Sequence, residues 1–596
     1  MTTEHDDEYF DLQGFIDSEL ASGKTEIVIP SAPVVSAFPR TGGGNKRYRI
    51  KPRNKQHLLL RDLKGIRIIA DNVEMICTET TRAITILNCS DVTIRGLTID
   101  YDPLPFTQGR IIGFGDNDDR QKLTHEIELF DGFLPNKYVD GIKYEIYDPC
   151  ERCLRYGNYF GITIDKMSND PRRIVVRLPQ KYSNKKLHKR PEEIGDIIAI
   201  GCTYAPNGKI PHAICATNCS RLKMEDVTVY ASNNFGFLER NCDSSVYLRC
   251  KVDRRPPTTD IKPREDPRIR SLNADAFHSK HARIGPSIVD CFARFNGDDS
   301  VNICGDYHVI TTATDWKMMD KENCRYCTLR VLAKNNDGNH INIRTGDSVE
   351  LTAYSGKRLR DTPVVVSVFP DGEITNEEFK FLQRQNIDKN IKTNGLKKAF
   401  RIQLRAIGVV ALNSNEKLAI GSVIASTNRV GNGFLIEGCQ FGPNRSRGIL
   451  VKGSQGVIAR NKLSGNWGEA IRVAPGYRWL ESGSSNMIQI RGNTIRNCHS
   501  YGIGVYSIGG DSRRSHNFAP AGAHSDMMIL DNKVFRCPLP NILVTSTDGY
   551  KVANNEHQRP LKNTRADGPA NVQRILDQKV PHELMILNCE NGIVSG

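Results

Sequence analysis

Short alternating apolar runs recur after residue 430, each broken by polar turn residues. Cys439, Asn461, Asn493 and Asn532 each open such a run, and ten residues after each stands an isoleucine: Ile449, Ile471, Ile503 and Ile542. The first two units lie 22 residues apart, the next two spacings are 32 and 39, which read as 22 plus a loop, and Asn554 follows Asn532 by 22. A unit of that length cannot bury its inner face alone, so units must stack and share a core, as in a solenoid. Asparagines at matching turns are placed to hydrogen-bond up the stack. The pattern predicts an all-β parallel β-helix.

The same style occurs upstream, in Ile66–Ala70, Val73–Cys77, Ile84–Leu87 and Val92–Ile94, and again in Val227–Tyr230, Val246–Arg249 and Ile288–Phe292. A helical pattern competes only near Tyr9–Leu20, and is expected to cap the first coil. Two stretches break the rhythm, residues 103–210 and 310–425, and both read as small β-barrel-like subdomains inserted between coils. The expected layout is a cap and first coils over 1–102, an insert over 103–210, central coils over 211–309, a second insert over 310–425 and C-terminal coils over 426–596. A third, shorter insertion, 252–270, is rich in Arg, Lys and Pro.

Composition narrows the classes. The chain has 596 residues, 39% hydrophobic and 25% charged. Its net charge of +14 is spread along the sequence without a Lys/Arg block interleaved with aromatics. A nucleic-acid partner is therefore not expected. No apolar run approaches membrane-spanning length. Met1 to Phe10 is acidic and lacks the apolar core of a secretory signal, so the chain reads as cytoplasmic as given, or as secreted with its leader missing. The 17 cysteines do not form a dense disulfide framework. Cys150/Cys153 and Cys324/Cys327 are two C-x-x-C pairs that together would suit Zn²⁺; the competing expectation is buried free thiols packed along the coils.

The densest chemical signal is Asn273-Ala-Asp275-Ala-Phe-His278-Ser-Lys280-His281, followed by Asn296-Gly-Asp298-Asp299-Ser-Val-Asn302. Asp275 and Asp298 are 23 residues apart, one coil, which predicts that they stack at the strand spacing of about 4.8 Å, with Asp299 as a diagonal third member. Crowded carboxylates raise one another's pKa. Structure alone does not need that, whereas glycoside hydrolysis needs one protonated and one ionised carboxyl. The competing readings of the cluster are a Ca²⁺ site and turn-capping aspartates. With the short insertion removed, Asn233 or Asn234 falls one coil before Asp275. Together with Asn273, His278, Lys280, His281, Asn302 and His308 these asparagines are the candidate substrate contacts.

At these residues the chain resembles right-handed parallel β-helix glycoside hydrolases, and most nearly family 110, the exo-acting α-1,3-galactosidases. The resemblance rests on Asp275-Ala-Phe-His278, on Asp298-Asp299-Ser-Val-Asn302 and their spacing, and on Leu97-Thr-Ile-Asp-Tyr101-Asp-Pro103. It implies a right-handed coil with embedded small barrels and an inverting enzyme without metal or cofactor, with Asp275 as the acid and Asp298 and Asp299 on the base side. Where the family tends to carry histidine, this chain has Cys304. Family 28, the polygalacturonases, is a more distant resemblance through an Asn-x-Asp element and an Asp-Asp pair one coil later.

The expected partner is an oligo- or polysaccharide, and oligomerisation stays open. A polysaccharide lyase on the same fold is the second reading, kept open by Lys251, Arg254, Arg255, Lys262, Arg264, Arg268 and Arg270, which would neutralise a uronate. A non-catalytic carbohydrate-binding β-helix is the third.

Overall fold

A computed structural model of the chain describes residues 8–31, 46–115, 123–133, 143–159, 161–166, 170–180, 192–201, 211–318, 324–334, 341–359, 362–389, 391–407, 418, 420–510, 518–538, 540–561 and 582–595. Part of the N-terminal segment that bears on a leader, Met1 to Asp7, lies outside them. Three long parallel sheets run through the described residues, two of 12 strands and one of 11 with the short strand Glu481–Ser482 paired antiparallel beside it, and every complete coil contributes one short strand to each. The fold is a right-handed parallel β-helix.

Alternation explains why these strands form. In Phe237–Arg240, Phe277–Lys280 and Val301–Asp306, which pair in parallel, Phe237, Phe277 and Val301 point into one apolar core. That core is continuous from Leu12 and Ile16 to Val552. The isoleucines picked out by the repeat form a single column, Ile449, Ile471, Ile503 and Ile542. The helix Leu12–Ala21 is capped by Asp11, whose side chain accepts from the Gly14 N–H. It packs Leu12 and Ile16, one helical turn apart, onto the first coil.

The asparagine ladder is present, with one change at its end. The backbone N–H groups of Cys439, Asn461, Asn493 and Asn532 donate to the side-chain oxygens of Asn461, Asn493, Asn532 and Asn555 in turn, at 2.9–3.0 Å. The final rung is Asn555 rather than Asn554, because Asn554 takes a left-handed turn conformation and bonds Asp531.

Among the described residues both inserts are seven-stranded antiparallel sheets with their own cores. The first comprises strands between Phe106 and Gly201, the second strands between His308 and Ser426. In the first, His125 Nδ1 lies 2.7 Å from the Tyr144 hydroxyl although their strands are not neighbours in the sheet, so the sheet curls around its core. The second carries a helix not expected from the sequence pattern, Asn376–Arg384, opened by a capping box between Thr375 and Glu378.

Where the inserts leave the coil determines what they can reach. One corner of each coil joins the strand of one sheet to the strand carrying the Phe237–Phe277–Val301 column. The first insert, the basic loop before Ile269 and the turns 294–300 and 442–448 all occupy this corner. The second insert leaves after Asp306, at the opposite end of the same strand. The outward face of that sheet is thus a trough with an insert at each side.

Candidate active site

The register at the first corner is set by Phe277 pairing with Val301, 24 residues on. Asp275 therefore stands directly beside Asp299, and the Ala276 N–H donates to the Asp299 carbonyl at 3.0 Å. The expected direct stack of Asp275 on Asp298 is off by one residue, and Asp298 is the diagonal member. A carboxylate oxygen from each of the three lies within 4.8 Å of the others. Turn amides fix the pair: Asn296 Nδ2 donates to the carbonyls of Asp298 and Asp299 at 2.8 and 2.9 Å, and Asn444 Nδ2 to that of Asp298 at 2.7 Å.

Cations from distant segments balance the cluster. Lys143, just before a strand of the first insert, places Nζ 3.0 Å from Asp298 Oδ2 and also donates to the carbonyls of Asn273 and Gly297. Arg445 lies 2.6 Å from Asp298. Arg447 binds Asp299 twice, through its backbone N–H to Oδ1 at 2.9 Å and its guanidinium to Oδ2 at 2.8 Å. These charges make a Ca²⁺ site the poorer reading, since a divalent ion would meet three positive groups among the carboxylates.

The three carboxyls diverge in acidity. Burial, reinforced by the Asp298 charge, pushes Asp275 up to about 8. Burial also raises Asp299, to about 6, against the pull of Arg447. For Asp298 burial is overcome by Arg445, Lys143 and Arg447, which hold it well below the usual carboxylate range; its side chain is also the most open, 28% exposed.

Beyond the corner the trough floor is polar. His278 Nδ1 lies 2.8 Å from Asp275 Oδ2. Asn302, beside His278 in the sheet, accepts from Lys452 at 3.0 Å, and Lys452 lies 2.9 Å from Glu481. Lys280 and His281 both pair with Asp306, at 3.1 and 2.7 Å. His278, Asn302 and Lys280 thus line the trough next to the carboxylates, whereas His281 works at its far edge.

The other expected contacts have different partners. Asn273 is buried with its amide bonded to Arg270 and to the Pro105 carbonyl, fastening the basic loop and the root of the first insert. The residue one coil before Asp275 is Phe235, since Phe237 pairs with Phe277; Asn233 and Asn234 fall beside Asn273 and Ala274. His308 is buried in the second insert between Asn342 and the Lys334 N–H.

The basic loop is also spoken for. Arg255 and Arg268 are buried on Asp100, at 3.0 and 2.9 Å, with Glu74 and Asp260 completing the network. Arg270 is buried on Glu145, Lys262 pairs with Asp102, Arg264 with Asp260 and Lys251 with Asp253, while Arg254 stacks over Phe295. Arg255, Arg268 and Arg270 are thus engaged inside the fold, whereas Lys251 and Lys262 keep 39% and 54% of their side chains exposed. The two C-x-x-C pairs belong to different inserts, Cys150 and Cys153 exposed and Cys324 and Cys327 buried, so they do not form one Zn²⁺ site.

Sequence reasoning did not single out Lys143, Phe235, Arg445, Arg447, Lys452 or Glu481. A signal existed for Arg447: it stands two residues before Ile449, as Asp299 stands two before Val301, and these pair directly. Lys143 and Glu481 carry no local signal, because only the return of a loop brings them in.

Residues 386–557 match a family model described as a right handed beta helix region. A stretch of 128 residues is 31% identical to alpha-1,3-galactosidase A of Shewanella woodyi and covers 20% of each chain, so the match spans about a fifth of that relative's length. Among solved structures, the A-module of the mannuronan C-5 epimerase AlgE6 of Azotobacter vinelandii aligns at 12% identity over 99% of this chain and 96% of its own, TM-score 0.40. A polygalacturonase of Erwinia carotovora ssp. carotovora aligns at 10% identity over 91% and 97%, TM-score 0.32. No helix among the described residues is long and apolar enough to cross a membrane. The chain is a right-handed parallel β-helix protein with three aspartates gathered at one corner of its coils.

Proposed function

We propose that the chain is a glycoside hydrolase acting on an α-linked sugar of an oligo- or polysaccharide, by general acid and base catalysis and with inversion. The observation that carries this is the gathering of three carboxyls, one oxygen of each within 4.8 Å of the others, with Lys143 and Arg445 on Asp298 and Arg447 on Asp299; burial pushes Asp275 up to about 8 and Asp299 to about 6, while the cations keep Asp298 ionised. At neutral pH Asp275 retains the proton that a leaving oxygen needs, and Asp299 is ionised and basic enough to take one from water. Asp298, held far below the usual range, is a poor base; it fixes the turn and supplies negative charge beside a developing oxocarbenium ion.

The oxygens approach within 4.8 Å, closer than the roughly 6.5–9.5 Å usual for inversion and nearer the roughly 5–5.5 Å of retention. Inversion is preferred because the sequence resemblance to family 110 implies it, and because Asp299 beside Asp275 is the carboxylate raised far enough to act as a base on water. The local likeness to an alpha-1,3-galactosidase supports an α-galactoside as the first substrate to try. The test is incubation with aryl glycosides and oligosaccharides, with product anomers followed by NMR. Release of the opposite anomer supports the reading, and release of the same anomer overturns inversion. An ultraviolet-absorbing unsaturated uronate would identify a lyase, and sugar binding without turnover a binding module.

A further inference from the structure

The basic loop and its neighbours enclose a pocket that the proposed chemistry does not use. Its volume is about 330 Å³, and Arg152, Asp253, Arg254, Arg255, Arg268 and Arg294 line it, with prolines of the basic loop along the rim. That size is at the lower end of the roughly 300–1,000 Å³ of small-ligand sites, and proline, with its fixed φ, keeps the rim stiff. The guanidiniums come from separate stretches. Arg152 stands in the Cys150–Cys153 turn of the first insert, Arg254, Arg255 and Arg268 in the basic loop, and Arg294 in the turn that leads to Asp298.

The acids nearby are already engaged. Arg255 and Arg268 share Asp100, and Asp266 takes Arg152 at 2.7 Å. Asp253 is the one acid among the described residues that line the pocket. Its Oδ2 takes Arg294 at 3.0 Å and Lys251 at 3.5 Å, and its Oδ1 accepts the Arg254 backbone N–H at 2.9 Å. The Arg254 guanidinium is left without an acidic partner among the described residues. It lies over the Phe295 ring, 4.0 Å from the centroid. Its Nη1 is buried with no hydrogen-bond partner, and so are the Nε atoms of Arg152 and Arg294. Burial, then the charges of Arg152 and Arg294, lower the Arg254 pKa against the pull of Asp253.

We propose that this pocket binds an oxyanion, a sulfate, phosphate or carboxylate group, on the N–H groups of Arg152, Arg254 and Arg294. Such a group supplies the charge that the local acids do not, and its several oxygens match guanidinium forks. It would also satisfy buried N–H groups that are costly to leave unpaired. Two sources carry this chemistry, a free inorganic anion and a charged substituent on a sugar chain. The second is within reach of the acidic cluster: Arg294 and Asp298 are four residues apart, so their Cα atoms lie within about 14 Å. No step of the proposed hydrolysis passes through the pocket, so the two readings stand or fall separately.

Isothermal titration of the full chain with inorganic sulfate, inorganic phosphate, acetate, galacturonate and galactose 6-sulfate tests this. One equivalent of an anion should bind, with an affinity about 10- to 100-fold weaker in Arg254→Gln. Lys462→Gln removes an exposed charge elsewhere on the coils and should bind as the wild type does; equal weakening in both variants would mean attraction to net charge alone and overturn the proposal. Galactose 6-sulfate binding more tightly than sulfate, or galacturonate more tightly than acetate, supports the site and assigns it to a sugar chain. The reverse order supports it and assigns it to a free anion. No saturable binding to the wild type, or unchanged affinity in Arg254→Gln, overturns it. A second readout needs no Arg254 variant. In protein labelled with ¹⁵N-arginine, the Nε resonances lost in Arg152→Lys and Arg294→Lys should shift when the wild type is saturated with the tightest anion. Resonances that stay in place overturn the proposal.

Discussion

Lys143 Nζ lies 3.0 Å from Asp298 Oδ2 although 155 residues separate them in sequence. The first insert thus supplies a charge to a turn built by the coil. Lys143→Met removes a charge-assisted bond worth about 1.5–3 kcal/mol, and turnover should fall on the order of 10- to 100-fold. Since Lys143 also lowers Asp275, the alkaline limb should move to higher pH. A pH profile of the variant that superimposes on the wild type would show that Lys143 is only a fastener.

The wild-type profile should be bell-shaped. In the proposed mechanism Asp299 must be ionised, so activity should fall below about 6, and Asp275 protonated, so it should fall above about 8. The optimum lies near the midpoint, about 7. Asp299→Asn should abolish the acid limb along with most turnover, measured as kcat/KM across pH.

Asp275→Asn should be more stable than the wild type. The folded carboxyl keeps its proton to about 8, whereas an unfolded aspartate releases it near ~3.9. Between those values the fold holds the extra proton, so wild-type stability falls as pH rises, by at most about 1.4 kcal/mol per unit. Below the window the two proteins should melt alike, and the gap should widen toward pH ~8. Melting curves separated by a constant gap at all pH values would contradict this.

Arg268 joins Asp100 of an early coil to Asp260 of the basic loop, fully buried. Arg268→Met leaves those carboxylates without their partner and should cost about 3–5 kcal/mol, read by chemical denaturation. Loss of sugar affinity in a variant of unchanged stability would instead place Arg268 in a binding site.

Asn493 is a rung whose side chain donates to the Ile458 carbonyl and to Asn532 and accepts from Asn461. Asn493→Ala should destabilise by about 1–3 kcal/mol without altering the pH profile.

The coil was legible because its period is written in residue types: isoleucine in the core column and asparagine in the turn. The inserts were legible as interruptions of that period. The acidic cluster was legible as a density of charge, yet its register was off by one. Asp298 lies one 23-residue step from Asp275, while the strands pair through Phe277 and Val301; the turn absorbs the extra residue, and nothing in a spacing count shows that. The counter-charges Lys143 and Glu481 were invisible for a different reason, since their places depend on how long connections return. The basic loop misled because a run of arginines looks the same whether it faces solvent or, like Arg255 and Arg268, buried aspartate.

The acidic corner and the trough beside it draw on four separated stretches: Lys143, the turns from Asp275 to Asp299, Arg445 with Arg447, and Glu481. A chain emerging from the ribosome can close its early coils long before these meet. Until the C-terminal coils are made, Asp299 lacks Arg447 and His278 lacks Glu481, so on the proposed reading the carboxyls reach their working acidities only when the length of the solenoid is in place.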